Sequence, residues 1–230
     1  MKKVSILIPV YNEINHLEKL LEKVEEADFA GLEKEIILID DYSTDGTREL
    51  LKSMESKYKV LYHNVNQGKG AALRTGFSAV TGDIAVIQDA DLEYDPKDYT
   101  GVLKLILNGE ADVAYGSRFL DLTDSKTVVK VNFLANKVLT LMTNILFGAK
   151  LTDMETCYKA FKTKFIQNIQ IRSDRFDFEP EITAKVLKKH ARLKEFPISY
   201  HGRTFEEGKK ITWKDGIHAV MALIKFRFTD

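Results

Sequence analysis

A single cysteine, Cys157, stands in the whole 230-residue chain, so no intrachain disulfide can staple it. That suits a reducing, cytoplasmic setting. Prolines number only four, and no Pro/Gly-rich linker, low-complexity tract or internal repeat divides the chain. Neither charge is in excess, because 34 Lys and Arg residues balance 34 Asp and Glu. A protein that coats nucleic acid usually carries a basic excess, so nucleic acid is not an expected partner. Long apolar runs are missing too. The stretch 138–149 is short and interrupted by Thr140, Thr143 and Asn144, whereas a membrane span needs about 20 apolar residues. The amino-terminal run 4–10 stops at Tyr11, Asn12 and Glu13 and reads as a first strand, not as a signal peptide.

What is present can build a core. Apolar residues make up 44% of the chain, the level of ordinary globular proteins. Strand and helix signals alternate through the first half. Nearly continuous apolar runs at 4–10, 35–39, 60–63, 83–88 and 111–117 have the pattern of strands buried on both faces. Between them lie helical patterns, such as Leu17, Leu20, Leu21 and Val24 on one face. The alternation predicts an α/β fold, with a mainly parallel sheet flanked by helices. The second half predicts helices over 127–147, 179–189 and from 212, and a strand at 193–198. No boundary with linker character appears, so 1–230 reads as one domain.

In such sheets ligands bind beyond the carboxyl ends of the strands. Those ends carry Asp40-Asp41, Asp89-Ala90-Asp91 and Gly116-Ser117-Arg118. In extended geometry Asp89, Asp91 and Glu93 share one side. Three convergent carboxylates repel unless a cation sits among them, and oxygen ligands suit Mg²⁺ or Mn²⁺. Gly68-Lys69-Gly70 completes neither a Walker A nor a dinucleotide fingerprint. Its glycines fit close packing at a helix start, leaving Lys69 and Arg74 available to a ligand's charge. Arg203, Lys209 and Lys210 among glycines read as a phosphate clamp or as a solvated loop.

Eight short motifs follow one another in a familiar order. They are Ile-Pro-Val-Tyr-Asn-Glu (8–13), Asp-Asp-Tyr-Ser-Thr-Asp-Gly-Thr (40–47), Asn-Gln-Gly-Lys-Gly-Ala-Ala-Leu-Arg (66–74) and Asp-Ala-Asp-Leu-Glu (89–93). Tyr-Gly-Ser-Arg-Phe (115–119), Thr-Asp-Met-Glu-Thr-Cys-Tyr-Lys (152–159), Phe-Glu-Pro-Glu (178–181) and Arg-Thr-Phe-Glu-Glu-Gly-Lys-Lys-Ile (203–211) complete them. Together they resemble the family-2 glycosyltransferases, in the branch of dolichol-phosphate mannosyltransferase and the undecaprenyl-phosphate glycosyltransferases. The resemblance implies a GT-A fold and a UDP- or GDP-linked sugar donor. It implies that Pro9, Tyr11, Glu13 and Asp41 surround base and ribose. Asp89, Asp91 and Glu93 would then hold a Mg²⁺ or Mn²⁺ bridging the donor diphosphate, and Arg118, Arg203 and Lys209 would meet phosphates. The expected reaction is inverting transfer to a polyprenyl phosphate. Transfer to a saccharide hydroxyl, with Asp153 as general base, is the second reading, and a catalytically idle nucleotide-sugar-binding module the third.

Segment 126–152 holds four lysines and no acid. Phe133, Leu134, Val138, Leu141 and Phe147 fall along it as an apolar stripe. The last helix, at 212–228, adds Trp213, Ile217, Val220, Met221 and Ile224 beside Lys225 and Arg227. Basic amphipathic helices bind anionic membrane surfaces. The expectation is peripheral attachment at the cytoplasmic face, either direct or through a separate membrane-anchoring subunit.

Overall fold

A computed structural model describes residues 1–120, 130–202 and 213–229, with the side chains of 130–132 and 213–215 outside that description. Seven strands form one sheet in the order β3-β2-β1-β4-β6-β5-β7. They are β1 (Lys3–Val10), β2 (Glu33–Asp40), β3 (Lys59–Tyr62), β4 (Ile84–Ile87), β5 (Val113–Ser117), β6 (Lys159–Lys162) and β7 (Leu193–Pro197). Strand β6 alone runs antiparallel, lying between β4 and β5. The sheet is therefore mixed and mainly parallel, as the alternation predicts.

Both faces are covered. Val4, Ile6, Ile8 and Val10 of β1 point to one side, against Leu17, Leu20, Leu21 and Val24 of α1 (Leu17–Glu26) and Val102, Leu103 and Ile106 of α4 (Tyr99–Leu107). Leu7, with Ile37 and Ile39 of β2, faces Ala72, Leu73 and Phe77 of α3 (Lys69–Ala79) and Ile182 and Val186 of α7 (Phe178–Lys188). A strand buried on both faces must be apolar at every position, which is why these runs do not alternate. The short helix α2 (Thr47–Ser53) packs Leu51 into the first layer. Helix α6 (Thr163–Ile166) follows β6 directly.

Sequence reading placed the predicted strands and helices within a few residues of where they lie. No strand is expected at 159–162, yet those residues form β6. Lys-Ala-Phe-Lys has no strand-like alternation, and Lys159 is wholly buried. The insertion matters for the site. Because β6 runs opposite to its neighbours, the segment leading into it, 152–158, arrives at the rim where the parallel strands end.

Helices α5 (Lys130–Phe147) and α8 (Trp213–Phe228) pack on each other through Leu139, Met142, Leu146, Ala219 and Leu223. Their outer faces stay apolar. Leu134, Val138, Leu141 and Ile145 on α5, and Ile217, Met221, Ile224 and Phe228 on α8, are all exposed. Each set repeats at i, i+4, i+7 and i+11, one stripe of an α-helix. The stripe expected on α5 shifts accordingly. Phe133 turns edge-on to Phe119, 5.1 Å between centroids, and Phe147 joins the contact with α8, so neither belongs to the exposed face. Val220 likewise packs inward, and the side chain of Trp213 lies outside the described residues. No helix among the described residues is long and apolar enough to cross a membrane.

Candidate active site

The rim is laced together by backbone turns. At the end of β1, Asn12 adopts φ 54°, and its Oδ1 accepts from Thr44 N while its own N donates to Ser43 Oγ. Thr47 Oγ1 accepts from Glu13 N at 3.0 Å, and the buried Glu13 meets His16 Nδ1 at 2.9 Å. Tyr11 and Pro9 sit half-buried beside this junction. These contacts bring the 8–13 and 40–47 motifs side by side.

Asp41 is buried, and its carboxylate is heavily used. It accepts from Gln67 N at 2.8 Å, Gly68 N at 2.7 Å and Asn66 Nδ2 at 2.9 Å, and it faces His63 Nδ1 at 2.8 Å. A carboxylate offers about four acceptor positions, so four protein donors fill it. Asp41 thus pins the 66–68 loop. The bulk that a glycine avoids is visible there too. A Cβ on Gly68 would lie 2.4 Å from Asp174 O, and one on Gly70 would lie 2.4 Å from Ser173 O. The two glycines serve close packing, as the sequence suggests.

That packing aims Lys69, the first residue of α3, at the acidic end of β4. Lys69 Nζ lies 2.6 Å from Asp89 Oδ1 and 3.7 Å from Glu179 Oε1. Glu179 in turn meets the buried Lys159, whose ammonium also reaches the carbonyls of Met154 and Thr156. Burial alone would raise the pKa of Asp89, yet the adjacent Lys69 holds the carboxyl below its ordinary range. Burial likewise works against the Lys69 ammonium, and Asp89 keeps it firmly protonated. Arg74 does not join this group. It pairs with Asp174 at 2.7 Å on the surface.

The expected extended arrangement of Asp89, Asp91 and Glu93 is not what forms. Leu92 takes φ 64°, and Asp91 Oδ1 accepts from Glu93 N at 3.1 Å, so the segment turns after Asp89. Glu93 is carried towards the end of β7, where its Oε2 accepts from Tyr200 Oη at 2.8 Å. Among the described residues no group of three or more His, Cys, Asp or Glu side chains is arranged to hold a metal. What remains at the end of β4 is Asp89 and Asp91, two hard oxygen donors. That set fits a Mg²⁺ or Mn²⁺ that completes its shell with water and phosphate oxygens. It does not fit an all-protein cage.

Opposite lies a second charged unit. Arg118, just past β5, clamps Asp153 in a bidentate pair, with Nε to Oδ2 at 2.7 Å and Nη2 to Oδ1 at 2.8 Å. Asn136 Nδ2 adds a bond at 2.9 Å. Asp153 is wholly buried, which would raise its pKa, but Arg118 holds it low. The guanidinium also lies over the Tyr200 ring, 5.0 Å from its centroid. Beneath it Tyr200 lies tilted against Tyr94, 5.3 Å between centroids, and Tyr94, Tyr158 and Tyr99 then stack at 5.8 and 5.5 Å. Glu195 of β7 fixes the neighbouring turn by accepting from Thr152 N and Asp153 N.

Sequence reasoning missed two carboxylates here. Glu179 lies in a recognised motif without a stated role. Glu155 likewise lies in the 152–159 motif without a stated role. Its Oε1 is buried with no hydrogen-bond partner, and burial together with the negative charge of Glu179 pushes its pKa up to about 7. Arg203, Lys209 and Lys210 lie outside the described residues.

A mainly parallel sheet with one antiparallel strand and an acidic β4 terminus at the rim is a fold of the GT-A type. The chain belongs to glycosyl transferase family 2, whose family model matches residues 5–170. It is 30% identical over 212 residues to a dolichol-phosphate mannosyltransferase of Pyrococcus furiosus, covering 90% of this chain and 59% of that protein. It is 29% identical over 218 residues to an undecaprenyl-phosphate 4-deoxy-4-formamido-L-arabinose transferase of Salmonella paratyphi B, covering 91% and 63%. The chain thus spans roughly three fifths of the length of these two relatives. Among solved structures, glucosyl-3-phosphoglycerate synthase of Mycobacterium tuberculosis in complex with UDP superposes with a TM-score of 0.76 at 16% identity, over 98% of this chain and 80% of that one. The same synthase has been crystallised with Mn²⁺, UDP-glucose and phosphoglyceric acid.

Proposed function

We propose that this chain transfers a sugar, with inversion, from a UDP- or GDP-linked donor to a polyprenyl phosphate. In that reaction an acceptor phosphate oxygen attacks the anomeric carbon. The bond from that carbon to the donor diphosphate breaks, and the nucleoside diphosphate leaves with the electron pair. A phosphate monoester is largely dianionic at neutral pH, so no base need remove a proton. A sugar hydroxyl, by contrast, needs one. The observation that carries the choice is the state of Asp153. It is buried, bound through both oxygens by Arg118 and held below the ordinary carboxylate range, so it is poorly suited to accept a proton.

Asp89 and Asp91 would hold the divalent cation, which would neutralise charge building on the departing diphosphate. The loop that Asp41 fixes would shape the donor pocket with Tyr11 and Glu13. The outer edge of Arg118, with Arg203 and Lys209, would hold the acceptor phosphate. Both curated relatives carry names describing transfer to or from polyprenyl phosphates, which supports this acceptor over a saccharide. The exposed stripes on α5 and α8 support peripheral binding to an anionic membrane, where such an acceptor resides; an anchoring subunit would serve the same end. Assaying polyprenyl phosphate against the matching alcohol and free sugars tests the reading. Transfer to the phosphate alone is expected, and efficient transfer to a free sugar would refute it.

A further inference from the structure

Four charged side chains run in an alternating file away from the end of β4: Asp89, Lys69, Glu179 and Lys159. They come from three separate elements and the β4 terminus, and sequence spacing gives no hint of the arrangement. One member is unevenly satisfied. Glu179 Oε2 is taken by Lys159, while its Oε1 is buried, makes no hydrogen bond and lies 3.7 Å from Lys69 Nζ. Lys69 is instead drawn to Asp89 Oδ1 at 2.6 Å. The ammonium therefore sits between two carboxylates, close to one and about an ångström too far from the other to bond it.

We propose that Lys69 is an internal counter-ion which a divalent cation must displace from Asp89, and that Glu179 Oε1 is the second seat that receives it. The inference rests on the reading that Asp89 is a cation ligand. A divalent ion and an ammonium compete for the same carboxylate oxygen, and two cations a few ångströms apart repel strongly. A lysine stem has enough rotatable bonds to shift its head by the required distance. Glu179 supplies the unmet acceptor, so the ammonium moves without becoming a buried unpaired charge, which would be costly. The same lysine thereby sets how tightly the cation binds. Lys69 acts as a positioning residue; it need not touch the sugar.

The test is Mn²⁺ binding to the protein, followed by the loss of the free-ion signal in electron paramagnetic resonance, without any turnover. Lys69→Met removes the competitor and should tighten binding at least about tenfold, a modest share of what a full charge within about 4 Å can exert. Glu179→Gln removes the second seat and should weaken binding by about tenfold. In the double variant the Glu179→Gln effect should largely disappear, because no ammonium then needs a seat. If the two effects simply add, Glu179 acts only through its field and the displacement is wrong. Equal or weaker binding by Lys69→Met overturns it as well. Should Lys69→Met lose its cooperative melt, Lys69→Gln carries the same expectations. Failure of the underlying reading looks different: Asp89→Asn would then leave wild-type Mn²⁺ binding unchanged.

Discussion

Replacing Glu155 with glutamine should make the protein more stable at neutral and alkaline pH and change it little in acid. The side chain puts one buried, unpartnered oxygen near Glu179, and its pKa stands at about 7 in the folded chain against an ordinary 4.5. Between those two pH values the folded state holds a proton that the unfolded state has released. Stability must therefore fall as pH rises through this window and level off above it. At about 1.36 kcal/mol per pH unit, the span from 4.5 to about 7 amounts to about 3 kcal/mol. Glutamine has nearly the same shape and no charge to bury, so it escapes the loss. Urea unfolding of both proteins at pH 4, 5, 6, 7 and 8 measures the difference directly. Comparing the two cancels the other titrating groups. The variant should gain about 3 kcal/mol relative to wild type between the ends of the series. A difference that stays flat with pH, or that grows in favour of wild type, would refute the argument.

Transfer should stop in excess chelator and return with Mn²⁺ or Mg²⁺, and full turnover without a divalent cation would remove Asp89 and Asp91 from their proposed role. Asp153→Asn should cost about 2–3 kcal/mol of stability, below the loss for a fully buried pair, because it leaves a partly buried guanidinium without its carboxylate, and chemical denaturation reads this whatever the activity. Gly70→Ala should cost about 2 kcal/mol, since its Cβ would meet the Ser173 carbonyl at 2.4 Å. Ile145→Glu and Met221→Glu, at exposed positions of α5 and α8, should leave the melting curve in place and reduce co-sedimentation with anionic vesicles. Wild-type protein that ignores such vesicles at low salt would end the membrane reading.

The fold was legible because parallel strands advertise themselves. A strand covered on both faces is apolar at nearly every position, and 4–10, 35–39 and 83–88 fit that pattern. The glycines of 68–70 were legible for a similar reason, since close packing demands them whatever the ligand. Strand β6 was not legible. Its two lysines suggest solvent, and only the tertiary fold reveals that Lys159 is wholly enclosed and neutralised by Glu179, twenty residues further along. The same gap misled the reading of Asp89, Asp91 and Glu93. Alternating carboxylates share a side only in extended chain, and the left-handed Leu92 ends that geometry immediately after the strand.

Charge pairing explains why the site was only half visible. The sequence names the carboxylates and cations at the rim but not which of them pair with one another. In the folded chain most of the described ones answer to one another: Asp153 to Arg118, Asp89 to Lys69, Asp41 to the 66–68 backbone. Each pairing changes the chemistry that the isolated residue advertises. An aspartate bound through both oxygens to a guanidinium is a poor proton acceptor, so the general-base reading weakens and the phosphate acceptor gains. A lysine drawn to one carboxylate and short of another is not simply a phosphate ligand; its position depends on what else occupies the first. The exceptional group is Glu155, whose buried oxygen has no partner and whose proton therefore stays bound near pH 7. In the proposed reaction, where a diphosphate and a second phosphate meet, a carboxyl that holds its proton up to about pH 7 would be favourable. Ionising it would add a negative charge where two anions have to approach each other.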